Sequence, residues 1–371
     1  MSQLFNIQPM LAAMTDQQTF LLWTVVKIIG AVAVLLTMVA YGVLAERKVS
    51  AFIQDRVGPN RVTLPLIGSI PVLGPLLASW GIWQPIADGL KSFLKEDFTP
   101  GHVRKLYFWL APAITMIPAF LTVAVIPFGS SIHNEKLVIA NLNVGILYTF
   151  GIVSLGVYGI VLAGYAANSK YPFLGGIRSS AQMISYEIAM GMSVIPVFLL
   201  VGDLNLGAVI DYQSGSLFHW LIFKQPLAFL IFMVSAFAET NRLPFDMPEC
   251  ETELVGGYNT EYSSMKFAMF FMGEYANMIT SSAMMVTLFF GGWTLPGVNL
   301  DTGENSILIG AISIGVFLAK VIVCMLVMIW VRWMWPRFRY DQLMDLGWRR
   351  FVPLALANII VTAAVLWVMS R

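Results

Sequence analysis

The chain has 371 residues, 58% of them hydrophobic and only 12% charged, with a mean hydropathy of +0.75 and a net charge of +1. A soluble domain carries about 25% charged and about 45–50% apolar residues, so a larger core alone does not account for this composition. The chain reads as an all-α polytopic membrane protein in a single membrane domain.

Cys250 and Cys324 make no disulfide framework, and His102, His133 and His219 lie too far apart for metal-ligand spacing. GxGxxG and GxxxxGKS patterns are absent. A haem, zinc, iron–sulfur or nucleotide site built by this chain alone is therefore not expected.

Eight apolar runs are long enough to cross a bilayer, which takes about 20 helical residues. They lie near 19–44, 106–128, 142–166, 183–201, 217–238, 267–293, 306–331 and 351–369. The first has no basic flank or small-residue cleavage site before it and reads as a retained helix. The third carries Gly159, Ala163 and Ala167 at four-residue spacing, a face suited to close helix contact. Pro112, Pro118 and Pro127 are expected to break up the second span, and Pro196 the fourth.

Between the first two spans, residues 83–94 place Trp83, Ile86, Ala87, Leu90, Phe93 and Leu94 on one helical face. Gln84, Asp88, Lys91 and Lys95 fall on the other. This pattern predicts an amphipathic helix at the membrane interface or on a partner protein. Of 22 Lys and Arg residues, 17 fall in the segments joining spans 1–2, 3–4, 5–6 and 7–8. The positive-inside rule then predicts that these loops are cytoplasmic and that both termini face outward.

Ionisable residues inside spans cost about 2.5–3.5 kcal/mol each at a helix centre. Glu187 is expected near the start of span 4, and Glu274 in span 6 heads a polar stripe with Asn277 and Ser281. Lys320 lies mid-way along span 7, whereas Lys27, closer to a helix end, reads equally as a snorkelling lysine or a functional one. The loop after span 5 reads AETNRLPFDMPECETELVGGYNTEY. It sets Glu239, Asp246, Glu249, Glu251, Glu253 and Glu261 against Arg242 alone. The default for such a run is a solvated face, but here the acids alternate with apolar and turn residues, as in a folded, partly buried loop. Crowded, desolvated carboxyls are what a proton relay needs. The stretches AERKVSAFIQDRVGPNRV and WVRWMWPRFRYDQLMDLGW mix Arg with aromatics, either as interface anchors or as a docking surface and cavity mouth for an amphiphile.

These stretches, with QPIADGLKSFLKED, GYAANSKYPFLGGIRSSAQMISYE, the acidic loop continued through SSMKFAMFFMGEYANM, and PRFRYDQLM, closely resemble a known family. It is the H-subunit family of bacterial NADH:quinone oxidoreductase (respiratory complex I), homologous to mitochondrial NADH dehydrogenase subunit 1. The resemblance implies eight spans plus an amphipathic helix, a multi-pass place in the bacterial inner membrane, and a position between the membrane arm and the hydrophilic quinone-module subunits. It implies quinone as substrate, with FMN and iron–sulfur clusters held by partner subunits. Matched residue by residue, Glu46, Arg47, Arg56 and Arg332 would lie near a quinone chamber or its entrance, and Arg242, Phe245 and Asp246 in its lining loop. Glu187, Glu239, Asp246, Glu249, Glu251, Glu253, Glu261 and Glu274 would form an acidic proton path. Two departures stand out: an apolar Pro/Gly-rich insert between Asn60 and Gln84, and Cys250 where the family usually has a small residue. Competing readings are the equivalent subunit of an energy-converting hydrogenase, a stand-alone proton or cation transporter, and a structural anchor.

Overall fold

The computed structural model describes residues 16–63, 79–132, 135–248, 254–298 and 307–370. Among these, the only strands are a two-residue hairpin, Ser131–Ile132 paired with Glu135–Lys136. Everything else that is regular is helical: α1 Asp16–Ile53, α2 Gln84–Leu94, α3 Lys105–Leu121, α4 Gly145–Val153, α5 Leu155–Ala166 and α6 Lys170–Val201. There follow α7 Leu206–Tyr212, α8 Leu221–Lys224, α9 Pro226–Glu239, α10 Ser264–Phe289, α11 Ile307–Met334, α12 Tyr340–Asp345 and α13 Val352–Met369.

Among the described residues, six helical stretches are long and apolar enough to cross a membrane: those of α1, α3, α4–α5, α6, α11 and α12–α13. The two other expected spans are α9 and α10, and each departs from the simple pattern for its own reason. A Pro at its start and a preceding irregular stretch cut α9 to 14 residues, about 21 Å at 1.5 Å per residue against a hydrocarbon core of about 30 Å. Helix α10 has 26 residues but carries Lys266, Glu274, Asn277 and several hydroxyls. Both sit in the middle of the bundle: α10 packs on α1, α3, α9 and α11, and α9 packs on α6 and α13. Large apolar side chains along α1, α11 and α13 remain exposed, which is the surface hydrocarbon would cover.

Two boundaries differ instructively from expectation. The fourth span begins at Lys170, not near 183, so Glu187 lies in mid-helix and Arg178 and Gln182 are helical too. Its early turns contain Lys170, Pro172 and two glycines, and propensity alone would not extend a helix through them. Packing does, because Gly176 meets Gly164 of α5, Cβ to Cα 3.5 Å if a methyl were present. Pro112, Pro118 and Pro196 lie inside continuous helices rather than breaking them. In α3, the Thr115 hydroxyl donates back to the Ala111 carbonyl, and that of Thr122, just past the helix, to the Ala119 carbonyl. The helix tightens into a 3-10 turn at Thr122–Val125, ahead of Pro127.

The small-residue face of α5 is where α3 crosses it. Ala163 and Ala167 are fully buried, and a Cβ on Gly159 would stand 2.1 Å from Thr115 Oγ1 and 2.6 Å from its backbone nitrogen. Overpacking such a contact costs about 1–3 kcal/mol or more. Gly159→Leu is therefore expected to destabilise the chain by at least that amount in a detergent-unfolding titration. The same change at Gly151, whose Cβ would meet nothing within 4 Å, should leave stability within about 0.5 kcal/mol of the parent.

Candidate functional site

The site is built around one carboxylate. Helix α1 runs past the length of an ordinary span and carries Glu46 into the interior at the bundle's basic end, where the residue is 7% exposed. Its carboxylate accepts from Arg242 Nη1 at 3.3 Å, from Arg332 near the end of α11, and from the Tyr275 hydroxyl of α10. The guanidinium of Arg242 also reaches Glu274 Oε2 at 3.5 Å and lies 4.3 Å from the centre of the Tyr275 ring. Glu274 in turn accepts from the Tyr258 hydroxyl at 2.9 Å. The result is a continuous chain, Arg332–Glu46–Arg242–Glu274–Tyr258, with two guanidinium groups balancing two carboxylates out of water.

Charges so placed are stable only when every partner is present, since removing one from a buried pair costs about 3–5 kcal/mol. The family resemblance assigns Glu46, Arg242 and Arg332 to a chamber and Glu274 to a separate path. The fold joins them, with Arg242 as the link.

Arg242 sits on an irregular segment, yet Thr240, Asn241 and Arg242 are 2%, 7% and 5% exposed. Buried loop backbone must find hydrogen bonds, and Gln182 of α6 supplies them. Its Nε2 donates to the carbonyls of Ala238 (2.6 Å) and Phe245 (2.7 Å) and to Asn241 Oδ1 (3.3 Å). The Ser179 hydroxyl, one turn earlier, also donates to Asn241 Oδ1. Asn241 takes a left-handed conformation, φ 52°, which Asn tolerates better than most residues, and the Leu243–Pro244 bond is cis.

Phe245 is packed rather than open, stacked on Phe338 and tilted against Tyr186, and is 4% exposed. Asp246 lies beside Arg337. Burial pushes the Arg337 guanidinium below its ordinary range, the Asp246 carboxylate opposes this, and the nearby Arg178 adds to the lowering.

The polar stripe of α10 leads away from this cluster. Glu274, Asn277 and Ser281 are all half-buried along one face. At Ser281 the stripe reaches a cavity of about 20 Å³, bordered also by Thr280, Thr149 and Glu239. That is room for about one water. Glu239 is the last residue of the short α9 and is 6% exposed. Glu187 lies on α6, which packs against α9.

Other expected residues stand apart from this line. Arg47 pairs with Asp88 of α2 at 2.8 Å, Arg56 is exposed beyond the end of α1, and Glu261 faces His102 at 3.9 Å. Glu249, Cys250, Glu251 and Glu253 lie outside the described residues, as do positions 64–78 of the insert.

Lys320 and Lys27, the two span lysines conspicuous in the sequence, both have partners in the structure. All three hydrogens of Lys320 are used, on the carbonyls of Phe290 (2.8 Å), Gly292 (3.0 Å) and Thr294 (2.6 Å), which ties α11 to the end of α10. Lys27 pairs with Glu135 of the hairpin at 3.2 Å. Conversely, Tyr258, Tyr275 and Gln182 belong to the site though nothing in their spacing singles them out. The usable signals are a Tyr directly after Glu274 and a Gln in the polar turn that leads into span 4.

Comparison with known proteins places the chain in a family. The sequence profile of the NADH dehydrogenase family matches residues 26–363. The first of the NADH-quinone oxidoreductase H subunits of Geobacter sulfurreducens is 47% identical over 362 residues, covering 93% of this chain and 95% of that protein. Its counterpart in Cytophaga hutchinsonii is 45% identical over 351 residues (93% and 97%). NADH-quinone oxidoreductase subunit 8 of Rhodothermus marinus is 45% identical over 350 residues (92% and 96%). With the likeness covering nearly the full length on both sides, the chain belongs to the NADH dehydrogenase family, among the H subunits of NADH-quinone oxidoreductase, or complex I.

Proposed function

We propose that this chain forms most of the quinone-binding chamber of a proton-translocating NADH:quinone oxidoreductase and carries the first part of a proton route into the membrane. The observation that supports the reading most strongly is Arg242 shared between Glu46 and Glu274. Reducing a quinone by two electrons takes up two protons. A guanidinium held by two carboxylates makes the proton occupancy of each depend on the other, so uptake near Glu46 is felt at Glu274. From there Asn277, Ser281 and the water-sized cavity at Glu239 offer a polar line toward Glu187, which is the order the route takes in this reading. Glu249, Glu251, Glu253 and Glu261 feed it from the loop. Glu46, Arg47, Arg56, Arg242, Phe245 and Arg332 bound the chamber and its entrance.

The chain holds no electron carrier in this reading. FMN and iron–sulfur clusters belong to partner subunits, and activity exists only in the assembled complex. Exposed Trp330, Trp333, Trp335 and Trp348, interleaved with Arg339, Arg349 and Arg350, suit the docking of the hydrophilic quinone-module subunits. Other membrane-arm subunits cover part of the lipid-facing surface. The basic end faces the cytoplasm of a bacterial inner membrane, with both termini outside.

Orientation is tested with single cysteines in spheroplasts. Asp203→Cys, just beyond α6, should react with an impermeant thiol reagent, and Gly101→Cys, in the exposed loop between α2 and α3, should react only after the membrane is opened. The opposite pattern reverses the topology.

Arg242→Ala leaves Glu46 and Glu274 facing each other without their shared cation. It should cut quinone reduction at least about tenfold while NADH oxidation by an artificial acceptor at the flavin end persists. Equal loss of both in an assembled complex would refute the chamber assignment.

Glu274→Gln and Glu187→Gln keep the shape and remove the titration. Each should assemble and lose quinone-linked turnover, proton pumping or both in reconstituted vesicles, with Glu→Asp retaining part. Parental pumping and turnover in both glutamine variants would make these carboxyls structural.

A further inference from the structure

Helix α2 presents its faces the wrong way round for a helix packed on a soluble protein. Ile86, Leu90, Phe93 and Leu94 are 46%, 57%, 70% and 84% exposed, and none of its residues is buried. Its polar face, with Asp88, Lys91, Ser92 and Lys95, turns toward the end of α1 and the start of α10. The apolar face is left to hydrocarbon, and the polar face then lies level with lipid headgroups.

Between these elements is a cleft of about 380 Å³, bordered by Arg47, Asp88, Lys91, Lys95, Tyr262 and Ser263 among others. Asp88 is neutralised by Arg47 at 2.8 Å, and the nearby Asp97 is taken by Lys266 at 3.0 Å. Lys91 and Lys95 have no counter-ion among the described residues, so the cleft carries an uncompensated positive charge. The N-terminus of the 26-residue α10 opens at the same place, and the hydroxyl of its cap residue Ser263 makes no capping bond. Helix N-termini favour anions.

Tyr262 adds an independent mark. It is 6% exposed, its ring stacks on Phe108 at 4.1 Å, and its buried hydroxyl has no hydrogen-bond partner among the described residues. Burial also pushes this phenol's pKa up, so it stays an O–H donor in need of an acceptor. A buried donor without a partner is costly.

We infer that this cleft binds the phosphate of an anionic phospholipid, with Lys91 and Lys95 as its cations and Tyr262 as a donor, while the acyl chains run beside the exposed face of α2. The inference needs only that the chain is in a membrane; it does not rest on the quinone or proton reading.

The test uses the purified complex in phosphatidylcholine nanodiscs containing a photoactivatable phosphatidylglycerol or, in parallel, a photoactivatable phosphatidylcholine. The anionic probe should label peptides covering residues 84–95 and 262–267 at least about fivefold more than the neutral one. Lys91→Gln/Lys95→Gln should lose about fivefold per lysine, Lys91→Arg/Lys95→Arg should retain the labelling, and Tyr262→Phe should reduce it severalfold. Flavin-end NADH oxidation should not change in any variant. Equal capture of the two probes, or labelling undiminished in the double glutamine variant, overturns the proposal. If that variant does not assemble, unchanged labelling in Tyr262→Phe overturns the assigned donor and with it the site.

Discussion

Two carboxylates and two guanidinium groups largely removed from water have to be held by one another, with the Tyr275 and Tyr258 hydroxyls replacing part of the lost hydration. Burying an isolated charge costs several kcal/mol even after relaxation, so Glu46, Arg242, Arg332 and Glu274 must converge or the bundle does not close. That convergence accounts for features that look unrelated along the chain. Helix α1 continues to Ile53 and so brings in Glu46. Helix α11 runs to Met334, far enough to deliver Arg332. The segment after α9 folds inward so that Arg242 can stand between the two acids.

The inward fold creates a second demand, which is met by polar side chains inside helices. A buried irregular backbone exposes its donors and acceptors to a medium that cannot satisfy them. Gln182 on α6 satisfies backbone carbonyls at the start and end of the loop, and Ser179 holds the side chain of Asn241. At the opposite end of α10, Lys320 does the same for the carbonyls of Phe290, Gly292 and Thr294. Helix α10 is thus fixed at one end by charge and at the other by an ammonium clamp. Its half-buried stripe from Glu274 to Ser281 is held in register against Glu239 between them. The short α9 follows from the same logic. A helix that crossed the whole membrane would carry Glu239 and the loop after it out to the surface. At 14 residues it ends inside the bundle, and a carboxyl, a water-sized cavity and a buried loop are left in the interior. Pro226 at its first turn and the broken stretch 213–225 ahead of it are the local causes.

Composition, the apolar runs and the distribution of Lys and Arg are enough to read a helical membrane bundle, most of its spans and its basic end. Hydrophobic periodicity and charge placement are local properties that folding does not change. The amphipathic α2 is legible for the same reason, as is the small-residue face of α5, since four-residue spacing is set by helix geometry alone. The cost of ionisable groups in lipid also singles out Glu187 and Glu274 without any knowledge of the fold.

What the linear chain does not decide is partnership. Glu46 and Arg242 are 196 residues apart, and Glu46 and Arg332 are 286 apart. No spacing rule connects them, so Glu274 and Glu46 fall to different devices until the packing of α1, α10 and α11 puts one arginine between them. Lys320 and Lys27 show the converse. Both are conspicuous in sequence, and both are satisfied, by backbone carbonyls and by Glu135, through contacts that exist only once loops distant in the chain have folded against their helices. The start of α6 at Lys170 is likewise a tertiary decision, because the glycines that weaken a helix locally are what let α5 approach closely enough to hold it.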